Sequence, residues 1–190
     1  MLNLTVKKII NLIFKPARCV LGRGSKIYAD ANISNNGPLD DMVIGDNSHI
    51  KGELLILGHG GKIIIGDYCF IGPNTRIWSG ELIEIQDRVL ISHNCNILDN
   101  DIHPIDPELR HEQFKEIISK GQPKEIDLRD KKVVIERDVW IGANCTILKG
   151  VTIGNGSIIA ANSLVINNIP ENTIYSGNPA KFLRNIIKAK

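Results

Sequence analysis

The sequence predicts an all-β fold: a parallel β-coil of triangular section built from six-residue repeats, with one protruding arm. Three observations predict it. Isoleucine or valine returns every sixth residue at Ile135, Ile141, Ile147, Ile153, Ile159 and Val165. Two residues before each of the last five stands Val139, Cys145, Val151, Ser157 or Ser163. Gly142, Asn144, Gly150, Gly154, Asn155 and Gly156 interrupt the repeats. On an α-helix a step of six turns about 600°, so ladder positions would circle the axis instead of forming a stripe. In extended structure six is even, so every ladder side chain faces one way while the interruptions bend the strand once per repeat. Three units close a coil of roughly eighteen residues, and coils stacked about 4.8 Å apart bury an aliphatic column that no single repeat could bury alone.

Taken in chain order, Val6, Ile9, Ile10, Ile13 and Phe14 fall at helical spacing, with Lys7, Lys8 and Asn11 interrupting any long apolar run. That pattern is too broken for a signal peptide or a membrane span. It fits a helix capping the open end of the coil, or a helix making peripheral membrane contact through residues 1–15. Residues 1–25 are read as this capping segment, 26–170 as the coil and 171–190 as a tail. Within the coil the step of six recurs at Ile44, Ile50 and Ile56, at Ile65, Ile71 and Ile77, and at Ile85, Ile91 and Ile97. The small partners are Ser48, Cys69, Thr75, Val89 and Cys95, with the larger Leu54 as a misfit. The phase slips at Gly58-His59-Gly60-Gly61 and at Ser79-Gly80, as loops or bulges at corners would require.

Between Ile97 and Ile135 the ladder stops, and the excursion at 98–134 carries His103, His111, Pro104, Pro107 and Pro123. A long departure from a regular scaffold is a place for function. Asp106-Pro107-Glu108 reads as an N-cap with proline at the first helical position, and 109–120 then suits a helix stopped by Gly121. After the coil, Phe182, Leu183, Ile186 and Ile187 suggest a short C-terminal helix with Lys181, Arg184, Lys188 and Lys190 on its polar side.

Aromatic residues make up 5% of the 190 and the net charge is +2, too mild a balance to argue for nucleic acid. Cys69, Cys95 and Cys145 occupy small ladder positions, where a thiol packs as a compact hydrophobe, and Cys19 stands alone. No spacing suggests a disulfide framework or a metal site, so the expectation is a reduced, cytoplasmic protein without metal. A catalytic thiol at Cys95, near His93 in sequence, is the alternative to packing.

These residues carry a resemblance. The run 134–154, VIERDVWIGANCTILKGVTIG, resembles the hexapeptide signature of acyl-CoA-dependent acetyltransferases with left-handed parallel β-helices. Ile169-Pro170 followed by Ser176-Gly177-Asn178-Pro179-Ala180-Lys181 is similar to the closing segment of that family. The handedness comes from the resemblance alone, since it departs from the right-handed crossover rule. Asp101-Ile102-His103-Pro104-Ile105-Asp106-Pro107 resembles the His-Pro-hydrophobic-Asp-Pro segment of the maltose, galactoside and Nod-factor O-acetyltransferases, whose histidine is the general base. The excursion looks closest to members that acetylate bacterial surface polysaccharides or their sugar precursors.

The resemblance implies transfer of acetyl from acetyl-CoA to a sugar hydroxyl, with His103 as catalytic base. A neutral imidazole with a pKa near 6.5 can take the proton of a hydroxyl as its oxygen attacks a thioester. His93, Asn94 and Asp101 are candidates for the acceptor side, with a solvated corner as the other reading of the first two. Asp99, Asp101 and Asp106 could each orient His103, and capping serves Asp106 equally well. The resemblance further implies pantetheine running past Gly142, Ala143, Ala160 and Ala161, bordered by Trp140, with Lys181 and Arg184 meeting the 3′-phosphate. A corner aromatic packed on a neighbour and a solvated basic face are the plainer readings of these last three. Asn167-Asn168 stand where many relatives have Lys-Asp. A homotrimer with sites between subunits is also implied. The rivals are an N-acetyltransferase of a nucleotide-linked amino sugar, a xenobiotic or serine acetyltransferase, a γ-carbonic-anhydrase-like zinc protein and a non-catalytic binding prism. For zinc, His49, His59, His93, His103 and His111 lack the expected spacing.

Overall fold

A computed structural model describes residues 18–187. Up to Leu164–Val165 the chain winds through three parallel faces in rotation, and its last two strands both join face B. Face A stacks Val20–Leu21, Met42–Ile44, Ile63–Ile65, Ile83–Ile85, Val133–Ile135 and Thr152–Ile153. Face B stacks Lys26–Ile27, His49–Ile50, Phe70–Ile71, Leu90–Ile91, Trp140–Ile141, Ile158–Ile159, Thr173–Ser176 and Lys181–Asn185. Face C stacks Asn32–Ser34, Glu53–Ile56, Arg76–Ser79, Asn96–Leu98, Thr146–Ile147 and Leu164–Val165.

The ladder lies on the axis. Ile44, Ile65, Ile85, Ile135 and Ile153 pair in register on face A. Ile50, Ile71, Ile91, Ile141 and Ile159 do so on face B. All ten are buried. Ile85 pairs directly with Ile135, so the excursion is spliced into the coil without disturbing it. At each A–B corner and at four B–C corners a left-handed residue stands three positions after the ladder residue. On the B–C edge that residue is Asn74, Asn94, Asn144 and Asn162 in turn, because asparagine occupies this region at little cost.

Three expectations are corrected. Leu54, read as a misfit, is itself axial: it pairs with Ile77, while Ile56 pairs with Ser79. The preceding corner is shortened through Gly52, where a Cβ would stand 2.4 Å from the Thr75 carbonyl oxygen. The C-terminal residues form no helix. Lys181–Asn185 is an antiparallel strand on Thr173–Ser176, with Phe182 edge-on to Tyr175, and it pairs backbone that would otherwise be an open sheet edge. The coil also begins before residue 26, since Val20–Leu21 already pair with Val43–Ile44. The N-terminal capping helix and the membrane contact of residues 1–15 fall outside the described residues. Among those described, no helix is long and apolar enough to cross a membrane.

Candidate active site

The arm leaves face C after Leu98 and returns to face A at Val133, so it stands on the C–A edge. Its helix is Pro107–Lys120, and the Asp106 carboxylate accepts from the Glu108 and Leu109 N–H groups at 2.9 and 3.0 Å. Asp106 is therefore the cap. Gly121, at φ +95°, ends the helix. The returning segment packs back toward the helix, leaving an open cleft of about 470 Å³.

His103 lines this cleft with its ring exposed. Its Nδ1 lies 2.7 Å from Gln113 Oε1. Gln113 is 6% exposed, and its Nε2 donates to the Ile102 carbonyl at 3.1 Å. With the amide in that orientation Oε1 faces the ring, so the hydrogen bond has Nδ1–H donating and leaves Nε2 outside this contact. Neither Asp99, Asp101 nor Asp106 has a hydrogen bond to the imidazole. Gln113 was not singled out in the sequence. Its only signal is a polar side chain in the middle of a helix that needs an inward face.

Asp99 is fully buried and takes four donors: Ser79 Oγ and Gly80 N at 2.7 Å, Asn100 Nδ2 at 2.8 Å and Glu81 N at 3.0 Å. It fastens the root of the arm to the 79–81 bulge. Asp101 lies against Arg129 Nε at 2.6 Å and Lys149 Nζ at 2.7 Å, and it also lines the cleft. Partial burial works against its carboxylate, but the hydrogen bonds from Lys149 and Arg129 outweigh this and hold its pKa below the usual range. Asp101→Asn is expected to lower stability by about 1 kcal/mol near neutral pH. Because the folded-state pKa is depressed, this difference is present above the ordinary carboxylate pKa and fades as pH falls through the folded value. Thermal melts of both proteins from pH 7 to pH 2 check it.

The cofactor candidates lie elsewhere on the prism. Gly142, Ala143, Ala160 and Ala161 follow face B strands and form the B–C edge, with the Asn162 N–H donating to Ala143 O at 2.9 Å. A Cβ on Gly142 would stand 2.7 Å from Ala161 N, so close coil stacking alone requires glycine there. His93 and Asn94 sit exposed in the same column, the His93 carbonyl accepting from Asn144 N at 3.1 Å. Trp140 is 52% exposed on the outer surface of face B, between Leu90 and Ile158. Lys181 and Arg184 extend that face through the last strand. One chain thus carries its arm on the C–A edge and these residues on face B and the B–C edge. The Cys95, Cys69 and Cys145 side chains are buried in the core; burial pushes the Cys69 thiol up, while the neighbouring Cys145 holds the Cys95 thiol down to about 7, and packing rather than exposure to a substrate is what its full burial serves. Among the described residues no group of three or more His, Cys, Asp or Glu side chains is placed to hold a metal.

Comparison with known proteins agrees with this architecture. Residues 132–167 match the family "Bacterial transferase hexapeptide (six repeats)". The chain is a hexapeptide-repeat protein, and its prism is the left-handed parallel β-helix of that class. It is 32% identical over 143 residues to the galactoside O-acetyltransferase of Lactococcus lactis, covering 75% of this chain and 62% of that one. The chain spans about three fifths of the length of the curated relatives it matches. Among solved structures, a mutant of the Bacillus cereus N-acyltransferase AntD in complex with dTDP and coenzyme A superposes at a TM-score of 0.70, with 25% identity over 95% of this chain and 89% of that one. A hexapeptide-repeat-containing acetyltransferase of Vibrio cholerae complexed with acetyl coenzyme A gives 0.58, with 26% identity over 99% and 80%.

Proposed function

We propose that this chain transfers the acetyl group of acetyl-CoA to a hydroxyl of a sugar or of a bacterial surface polysaccharide precursor, with His103 as general base. The observation that carries this reading is the His103 ring at a cleft, with Nδ1 engaged by Gln113 and Nε2 left unengaged. The galactoside O-acetyltransferase similarity and the coenzyme A complexes of the structural neighbours support the chemistry.

The acceptor hydroxyl gives its proton to Nε2 as its oxygen attacks the thioester carbonyl. A tetrahedral oxyanion forms, stabilised by backbone N–H groups of the coil edge. Collapse breaks the carbon–sulfur bond, and the imidazolium returns the proton to the departing thiolate. Base and cofactor edge meet when the arm of one prism reaches the B–C edge of a neighbour, which supports a closed trimer with three equivalent sites.

N-acylation of a nucleotide-linked amino sugar is the second reading, favoured by the AntD likeness. The cleft opposes it. Six carboxylates line it, Asp101, Asp106, Glu112, Glu116, Glu125 and Asp127, and the nearby cations are already engaged, Arg129 and Lys149 by Asp101 and Lys115 by Glu112. A diphosphate there would meet like charge on several sides. A thiol-release screen of acetyl-CoA against neutral pyranosides and nucleotide-linked amino sugars tests the choice. Turnover with the neutral compounds supports O-acetylation, and turnover confined to the nucleotide sugars overturns it. For the cofactor, Lys181→Ala with Arg184→Ala is expected to raise KM for acetyl-CoA far more than for acetyl-dephospho-CoA; equal effects would remove the phosphate contact.

A further inference from the structure

We infer that Asn100 and Gln113 are positioning residues that clamp a strained backbone unit at Ile102 and thereby fix the tautomer and aim of His103. The inference rests on His103 being the base.

Ile102 stands at φ +64°. For a β-branched residue this region is sterically unfavourable, and such a conformation persists only where the surroundings hold it. Here both backbone polar groups of Ile102 are held by buried amides. Its N–H donates to Asn100 Oδ1 at 2.8 Å, and its carbonyl accepts from Gln113 Nε2 at 3.1 Å. Asn100 is 3% exposed and its Nδ2 donates to Asp99, which is anchored in the 79–81 bulge. The next residue along is His103, whose N–H donates to the Asp101 carbonyl at 2.7 Å. A line of hydrogen bonds therefore runs from the prism through Asp99, Asn100 and Ile102 to the base, and Gln113 closes it from the arm helix. The amide does two things at once: its NH₂ holds the backbone and its oxygen selects the Nδ1–H form. Because Gln113 is neutral, it orients the imidazole without adding charge beside it.

The two functions separate experimentally. Selective ¹⁵N labelling of histidine reads the tautomer on the full-length protein, with His103→Ala assigning the signal. The wild type is expected to show His103 protonated on Nδ1 and bare on Nε2, and Gln113→Leu to lose that bias. Acetyl transfer is read as thiol release from acetyl-CoA, using whichever neutral pyranoside turns over in the screen. In Gln113→Leu and Asn100→Ala, kcat is expected to fall by about tenfold or more, while KM for acetyl-CoA stays within about twofold. Gln113→Glu places a carboxylate on the ring, so the imidazolium is favoured and the acid limb of kcat/KM moves to higher pH. A glycine at 102 needs no clamp for its backbone. Ile102→Gly is expected to restore part of the activity of Asn100→Ala and none of that of Gln113→Leu, because it repairs the backbone and leaves the tautomer unset.

Wild-type His103 protonated on Nε2, a Gln113→Leu enzyme with normal kcat, or equal rescue of both variants by Ile102→Gly would each overturn the inference. An active His103→Ala enzyme would instead remove the base itself. An inactive His103→Ala beside a normal Gln113→Leu removes only the clamp.

Discussion

His103→Ala is expected to lower kcat for acetyl transfer by at least about a hundredfold, with coenzyme A binding and melting temperature close to wild type. The size follows from the role: a hydroxyl is a poor nucleophile at neutral pH, and a positioned base typically contributes 10²–10⁴-fold. A hundredfold loss corresponds to about 2.7 kcal/mol of transition-state stabilisation. The selectivity follows from the position. The ring is exposed and lies on the C–A edge, away from the axis and from the B–C edge. Its removal unpairs Gln113 Oε1 and touches none of the cofactor candidates. Steady-state thiol release with isothermal titration of coenzyme A checks both halves. Near-normal turnover would remove the assigned role.

Ile141→Ala is expected to have the largest effect on stability, about 2–5 kcal/mol. Ile141 is fully buried and sits in register between Ile91 and Ile159. The rigid coils above and below leave little scope for the site to collapse, which places the cost high in that range. In a solenoid each coil touches chiefly its neighbours, so the damage should centre on coils 133–165. Those coils carry Gly142 and Ala143, and weakened acetyl-CoA binding should accompany the loss. Chemical denaturation and hydrogen exchange read it; unchanged stability would contradict an axial role.

The scaffold was legible because its signal is redundant. Axial burial repeats about every six residues, and asparagine at Asn74, Asn94, Asn144 and Asn162 marks the B–C corner independently of the aliphatic ladder. Legibility failed where the repeat failed. Leu54 fell out of phase because the Gly52 corner is shortened, and a period cannot announce its own slip. The spacing of Phe182, Leu183, Ile186 and Ile187 mimics a helix face, yet the segment goes to a strand because Thr173–Ser176 offers unpaired backbone. The helix of the arm was readable from local chemistry, an Asp-Pro start and a glycine stop. Gln113 was not, since its burial arises only when Ile102 turns back onto the helix.

In the proposed trimer the arm of one chain serves the B–C edge of another. Co-expression of His103→Ala with Ala161→Arg probes this arrangement, the first lacking the base and the second obstructing the cofactor edge. Each variant alone should be inactive. In randomly mixed trimers, one subunit must supply an intact arm and its neighbour an intact edge, so about a quarter of sites should recover. Activity near a quarter of wild type is the expected result. Mixed trimers as inactive as their parents would rule out a site shared between neighbouring chains.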